Sequence, residues 1–371
     1  MIIQKKNLNI IGMMSGTSMD AINVTLVQSD GVSLKRHHIN VISNYRNETK
    51  LLLKKSLLDY KKNFKDPFLK NHLINLITYD HYKAVDKVIK KTDIKPDLIG
   101  FHGQTIYHNP EKKISIQLGD SQLLSNLTEI DVISNFRDND IIYGGEGAPL
   151  APVYHKLLIK ELKLPLPSCF LNIGGVSNLT FWDGFQLIGF DTGPGNCMMD
   201  TYMQDKLSLD YDDAGKLASQ GEINHKIKEH FLNYKYFKKK YPKSLDKQAF
   251  NHIIQIIYDM NLKPSDAMAT LTECTFLSII QSINLLPQKP KNLIIMGGGV
   301  HNLYLLKKLK NIGKINVYTA KEKNIPGDFI EAELLAFLAA RNYFKLPITF
   351  PKTTGVKRPL CGGKHFFNNN K

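Results

Sequence analysis

Apolar and polar positions alternate in short blocks from the start of the chain. Leu8 to Met14 is an apolar run, Ser15 to Asp20 is small and polar, and Ile22 to Val27 returns to an apolar, β-branched pattern. That order predicts strand, tight turn, strand. Helical spacing takes over between residues 45 and 92, carried by Leu51, Leu52, Leu57 and Leu58, then by Leu73, Ile74 and Ile77. Asp97 to Phe101 predicts a short buried strand that ends at His102-Gly103. A second strand–turn–strand opens at Cys169, turns at Gly174-Gly175, resumes at Leu179 to Trp182 and continues through Leu187 to Phe190. The two hairpins open alike, with Asn9-Ile10-Ile11-Gly12 and Asn172-Ile173-Gly174, a faint sign of duplication. Ser265 to Ile283 predicts a helix that Ser265 can cap, and Asn292 to Met296 a strand closed by Gly297-Gly298-Gly299. The clearest helix is Asp328 to Phe344. Asp328 stands where a cap belongs, Glu331 follows as in a capping box, and Ile330, Leu334, Phe337 and Leu338 mark an apolar face.

Interleaved strands and helices predict an α/β protein. The length of 371 residues exceeds one comfortable core. Two lobes are expected, 1–160 and 161–371, with the C-terminal helix able to pack back on the first lobe. The formal charge of +15 favours acidic partners in general. Its lysines, however, come as scattered pairs such as Lys54-Lys55 and Lys112-Lys113, and no nucleic-acid motif is legible. No run approaches the roughly 18 apolar residues of a membrane span. The four cysteines form no Cys-x-x-Cys pair, which disfavours zinc and redox chemistry. A cytoplasmic protein with no nucleic-acid and no membrane partner is expected.

Candidate chemistry lies in four glycine-rich turns that follow apolar strands. They are Met14 to Asp20, Gly174 to Asn178, Gly189 to Asn196 and Gly297 to Asn302. Such turns bring backbone N–H groups close to a ligand, and those groups suit phosphate. No Walker sequence and no dinucleotide fingerprint occurs. Asp191, in the third turn, is either a reacting carboxylate or a cap for the helix that begins near Asn196, and the residues alone leave both open. Arg137 can pair with an anionic ligand or with Asp138 or Asp140. His102, His108 and His155 make no metal-ligand spacing and are expected to be structural.

The motifs as a set carry a family resemblance. Gly12-Met13-Met14-Ser15-Gly16-Thr17-Ser18-Met19-Asp20, Phe101-His102-Gly103-Gln104-Thr105, Gln117-Leu118-Gly119-Asp120 and Asn135-Phe136-Arg137 occur in that order. Gly144-Gly145-Glu146-Gly147-Ala148-Pro149-Leu150, Asn172-Ile173-Gly174-Gly175, Phe190 to Asn196 and Gly297-Gly298-Gly299 follow. From residue 8 to about 355 the chain resembles the anhydromuramic acid kinases of the sugar kinase, actin and heat-shock chaperone superfamily. Ala21 and Asn23 stand where that family usually has Gly and Asp, Asn135 replaces an Asp, and Glu146 replaces a Gln. The segment Pro242 to Lys247 keeps only the start of a family stretch that continues Thr-Gly-Arg.

The resemblance implies a two-lobed, actin-like ATPase and sugar kinase fold with nucleotide in the interlobe cleft. It implies ATP and 1,6-anhydro-N-acetylmuramic acid as substrates, Mg²⁺ as cofactor, and a homodimer. It makes Asp191 the catalytic base. The nucleotide site would comprise Gly16, Thr17, Ser18, Met19, Asp20, Ala21, Ile22 and Asn23, with Gly174, Gly175, Gly297, Gly298 and Gly299. Asp20 would hold the metal, and Arg137, Glu331 and Gln104 the sugar. Another sugar or sugar acid as substrate, or a nucleotide-binding relative without turnover, are the alternatives.

Overall fold

The computed structural model describes residues 7–16, 21–58, 66–109, 112–246 and 249–369. The chain divides into two compact units, residues 1–157 with 328–371, and residues 158–327.

The first unit is built on a six-stranded sheet. Its strands are β1 (Leu8–Ser15), β2 (Ala21–Ser29), β3 (Leu34–Asn44), β4 (Leu98–Phe101), β7 (Asp131–Ser134) and the C-terminal strand Lys364–Phe366. Strands β5 (Gln104–Asn109) and β6 (Ile114–Leu118) form a separate hairpin. β1, β2 and β3 are an antiparallel meander, and β4 and β7 then extend the sheet in parallel from β1. The second unit repeats the plan. β8 (Ser168–Ile173), β9 (Val176–Trp182) and β10 (Leu187–Pro194) form the meander, and β11 (Asn292–Met296) and β12 (Asn316–Thr319) add in parallel beside β8. One strand order is thus used twice, although the two motifs that hinted at duplication do not correspond: Asn9 to Gly12 lie within β1, while Asn172 and Ile173 end β8. The repeated order is the α/β plan that the resemblance implies.

The first sheet carries a floor made of glycine. Gly12 of β1 and Gly100 of β4 are register partners. A Cβ on Gly12 would lie 1.9 Å from the Ala332 carbonyl oxygen, and one on Gly100 would lie 2.3 Å from that of Leu335. The helix Ile330–Tyr343 therefore rests its backbone on the sheet. Its buried Ala332, Ala336, Ala339 and Ala340 permit that approach, and Ile330, Phe337 and Leu338 fill the flanks. Polar contacts lock the same helix. Arg36 of β3 donates to Glu333 at 2.9 Å and to the Tyr154 hydroxyl at 3.2 Å, and that hydroxyl donates to Glu333. Glu333 is buried, so the Arg36 pair is what makes its charge tolerable there.

Three local expectations are corrected. Asp328 does not cap the helix; it lies in a 3₁₀ turn, Gly327–Phe329, and Phe329 takes the cap position without a side-chain bond. Ser265 lies inside its helix, which starts at Pro264 and runs to Asn284. Pro at the first helical position needs no N–H partner, so the helix starts one residue earlier. Leu51 is 69% exposed, while Leu53 carries the buried face of the helix Asn47–Leu58.

Two outcomes follow from this packing. Gly12→Ala should destabilise the first unit by about 2–3 kcal/mol through overpacking, seen as a fall in melting temperature of roughly 5–10 °C. The second concerns buried histidines. His81 lies edge-on to Tyr45 and Phe101 and bonds the Ile77 carbonyl through Nδ1 at 2.8 Å; burial lowers its pKa from 6.5 to about 4. The unfolded chain therefore takes up a proton below pH 6.5 that the folded chain refuses until about pH 4. Stability is flat in this group above pH 6.5 and falls by about 1.4 kcal/mol per unit below it. Urea midpoints should drop between pH 6.5 and 4, less steeply in His81→Phe.

Candidate functional site

The second unit holds Asp191 near the end of β10, where the β9–β10 register shifts between Asp191 and Gly193. The shift breaks the ladder and lets the chain turn toward the helix Cys197–Leu207. Gly193 adopts φ +156, and a Cβ there would meet the Ser278 side chain at 2.6 Å. The Asp191 side chain is half-buried, and its Oδ2 accepts from the backbone N–H of Leu245 at 2.8 Å. The cap residue Asn196 makes no side-chain cap bond, and Oδ2 of Asp191 is turned to Leu245. Its backbone is held as well. Asp191 N–H donates to the Lys243 carbonyl at 2.9 Å, and the Tyr236 hydroxyl donates to the Asp191 carbonyl at 2.5 Å.

Gly174 and Gly175 form the β8–β9 turn. Their carbonyls accept from the N–H groups of Gly195, Asn196 and Cys197 at 2.9, 2.8 and 3.1 Å. The start of the helix is thereby stitched onto the hairpin, and two of the four glycine turns become one assembly. The Gly297–Gly299 turn joins it. Cβ atoms on Gly297 and Gly299 would strike Asn172 and Ile173 at 2.4 and 2.3 Å, so both are needed for packing against the end of β8. Gly298 differs, because its Cβ would meet nothing closer than Asn196 Nδ2 at 3.5 Å. It opens instead on a cavity of about 490 Å³, lined also by Asn196, Asp200, Tyr211, Asp212 and Asp213.

The walls of this cavity are fixed. Asp212 accepts from Leu217 and Ala218 N–H, each at 2.9 Å, and Asn302 accepts from Leu305 N–H at 2.9 Å as cap of the helix Leu303–Lys310. Residues 211–213 and Asp200 escape a reading based on glycine turns. The run Asp210-Tyr211-Asp212-Asp213-Ala214-Gly215 was the available signal, with Ala214 at φ +57 and Gly215 at φ +69.

The first unit gathers a second set of polar groups. Arg137 donates from Nε to His102 Nε2 at 3.3 Å and from Nη1 to the Gly147 carbonyl at 2.8 Å. Asp140 accepts from Gly147 N–H at 2.7 Å and from Thr354 Oγ1 at 2.5 Å. His102 is therefore a neutral acceptor, its pKa lowered to about 3 by burial and by the Arg137 charge. The same causes lower His108 to about 4. Glu331 is exposed, yet desolvation raises its pKa, with the Arg137 charge opposing the shift. Among the described residues of this unit, the side-chain atoms buried without a hydrogen-bond partner include His108 Nε2 and Glu146 Oε2. Buried orphans of this kind are costly unless a ligand or water completes them.

Gln104 is fully buried. It accepts from the Tyr45 hydroxyl at 3.1 Å and donates to the Gly16 carbonyl at 3.2 Å, so it braces the mouth of the first hairpin. Asn23 Nδ2 donates to the Asp328 carbonyl at 2.7 Å. Ala21 and Ile22 lie in β2, with Ile22 buried. Thr17, Ser18, Met19 and Asp20 lie outside the described residues. Among the described residues no group of three or more His, Cys, Asp and Glu is placed to hold a metal ion, and no helix is long and apolar enough to cross a membrane.

The family model "Anhydro-N-acetylmuramic acid kinase" matches residues 8–368. A protein of that name from Zymomonas mobilis is 37% identical over 365 residues, covering 95% of this chain and 98% of its own. One from Pelagibacter ubique is 36% identical, covering 95% and 96%. One from Bradyrhizobium diazoefficiens is 36% identical, covering 96% and 98%.

The three glycines of the β11 turn should respond differently to substitution. Gly298→Val should leave the melting temperature within a degree or two of wild type and weaken ATP binding at least tenfold by calorimetry. Gly297→Ala, at φ +82, should lower the melting temperature instead.

Proposed function

The chain belongs to the anhydro-N-acetylmuramic acid kinase family, and we propose that it transfers the γ-phosphoryl group of ATP to 1,6-anhydro-N-acetylmuramic acid with hydrolytic opening of the anhydro ring. The chain is a kinase, a phosphotransferase with an alcohol group as acceptor. The observation that carries the finer reading is the Asp191 carboxylate, half-buried on a register shift and tethered by Leu245 N–H. A carboxylate so fixed and still reachable suits a general base, because proton transfer needs hydrogen-bond reach before it needs a tuned pKa.

In this reading Asp191 takes a proton from water as the water oxygen attacks the anomeric carbon. The bond from that carbon to the bridging oxygen O6 breaks, and O6 forms its new bond to the γ-phosphorus as ADP leaves. The products are N-acetylmuramic acid 6-phosphate and ADP. Phosphoryl transfer leaves the protein mostly positioning and charge to supply. The cavity beside Gly298 suits the nucleoside end of ATP. Its carboxylates at Asp200, Asp212 and Asp213 repel phosphate but accept hydrogen bonds from hydroxyl and amino groups. The phosphates then belong at the Gly174-Gly175 turn of the same unit. Arg137 is the cation for the lactyl carboxylate of the sugar, and Glu331, His108 and Glu146 the partners for its hydroxyl and amide groups. The orphaned His108 Nε2 and Glu146 Oε2 support that placement. Gln104 acts one step back, through the first hairpin.

Mg²⁺ fits a site with few protein ligands, since it keeps several waters and relies on the nucleotide phosphates. Asp20 would hold it, and its charge would offset that of the phosphates.

Turnover in heavy-oxygen water should put the label in the anomeric hydroxyl and leave the phosphate unlabelled, read by mass spectrometry of the product. Label in the phosphate would overturn the ring-opening mechanism. Asp191→Asn should cut kcat by at least 10³-fold while ATP binding stays within about threefold of wild type.

A further inference from the structure

Lys243 is a lysine in an unusual place. It is only 4% exposed. Its Nζ donates to the Tyr236 carbonyl at 3.3 Å and sits 4.4 Å from the centre of the Tyr236 ring and 5.7 Å from that of Phe190. Phe190 precedes Asp191 on β10, and Tyr241 stacks on it at 5.5 Å. An ammonium removed from water needs opposite charge or ring faces close by. Asp191 supplies the charge, and the two rings supply the faces.

The backbone joins the same two residues. The Lys243 carbonyl accepts from Asp191 N–H, Tyr236 donates to the Asp191 carbonyl, and Leu245 N–H binds Asp191 Oδ2. One short segment, 236–245, thus holds the amide, the carbonyl and the carboxylate of a single residue. We infer that Lys243 is a positioning residue for Asp191: its buried ammonium, seated on the Tyr236 ring within electrostatic reach of the carboxylate, keeps that carboxylate ionised and in the aim that segment 236–245 gives it. The inference rests on the reading of Asp191 as the base.

Lys243 acts through Asp191 and touches no reacting atom. Its effect lasts only while it is charged. Burial lowers its pKa to about 8, with Asp191 opposing that shift and Lys239 adding to it. The Tyr236 ring lies against the ammonium, and the Tyr241 ring stacks on Phe190 next to it. The ammonium is therefore lost on the alkaline side of neutrality, not above pH 10 as for a surface lysine.

The test compares Lys243→Met, Lys243→Arg and Tyr236→Phe with wild type, measuring kcat and both KM values from pH 5.5 to 10. Methionine keeps the length and the ring contacts but has no charge. Lys243→Met should lower kcat at pH 7 by about 10- to 100-fold and leave the KM for ATP within threefold. Its acid limb should move to higher pH, and the wild-type fall near pH 8 should vanish. Above pH 9.5 wild type and Lys243→Met should converge. Lys243→Arg should recover part of kcat and carry the alkaline limb beyond pH 9. Tyr236→Phe should lower kcat several-fold with the alkaline limb in place. Wild-type kcat and an unchanged pH profile in a cooperatively melting Lys243→Met would overturn the inference. If that variant does not fold, a wild-type profile that stays flat from pH 7 to 10 overturns it equally well. Asp191→Asn separates the two levels. If it is inactive while Lys243→Met is normal, only the role of Lys243 fails; if it retains activity, the base assignment fails and takes this inference with it.

Discussion

The approach of one helix to bare sheet backbone governs the first unit. Gly12 and Gly100 face each other across β1 and β4, and the helix Ile330–Tyr343 lies on them with its carbonyls where Cβ atoms would otherwise stand. Nothing larger than glycine fits at either position. The contact brings the end of the chain back to its beginning, and with it Glu333, which anchors Arg36 and Tyr154, and Glu331, whose pKa the Arg137 charge lowers against desolvation. A local requirement for two missing side chains therefore decides which residues share a unit.

The second unit uses glycine for a related purpose. Gly297 and Gly299 admit the end of β8, Gly195 admits the Gly174 carbonyl at 2.2 Å from a would-be Cβ, and Gly298 is left facing the cavity. Close backbone packing around one open glycine gives a rigid rim. Asp191 is held in a different way, by hydrogen bonds from a segment some fifty residues on, as its Leu245 contact spans 54 positions. Rigid loops on a sheet scaffold are a common place for reacting groups, because the scaffold bears the stability and the loop bears the chemistry.

Much of this is legible in the order of residues. The strands β1, β2, β8 and β11 follow from apolar runs bounded by glycine or small polar residues, and β11 coincides with its expected span, Asn292 to Met296. Boundaries set by capping are less legible, because Asp328 and Ser265 have the right side chains in the wrong conformation. The motif set names the family, which the relatives then establish over almost the whole chain.

The chain order alone therefore determined the α/β class, the doubled hairpin plan and the glycine turns, since these depend on neighbours within a few residues. It did not determine that Asp191 answers to Lys243 and Leu245, that Asp212 and Asp213 line the cavity beside Gly298, or that His108 and Glu146 are left with orphaned polar atoms. Those facts depend on contacts between segments far apart in sequence. Hydrogen bonding, burial and the pKa shifts that follow are set by what surrounds a group in space, and no periodicity along the chain encodes that.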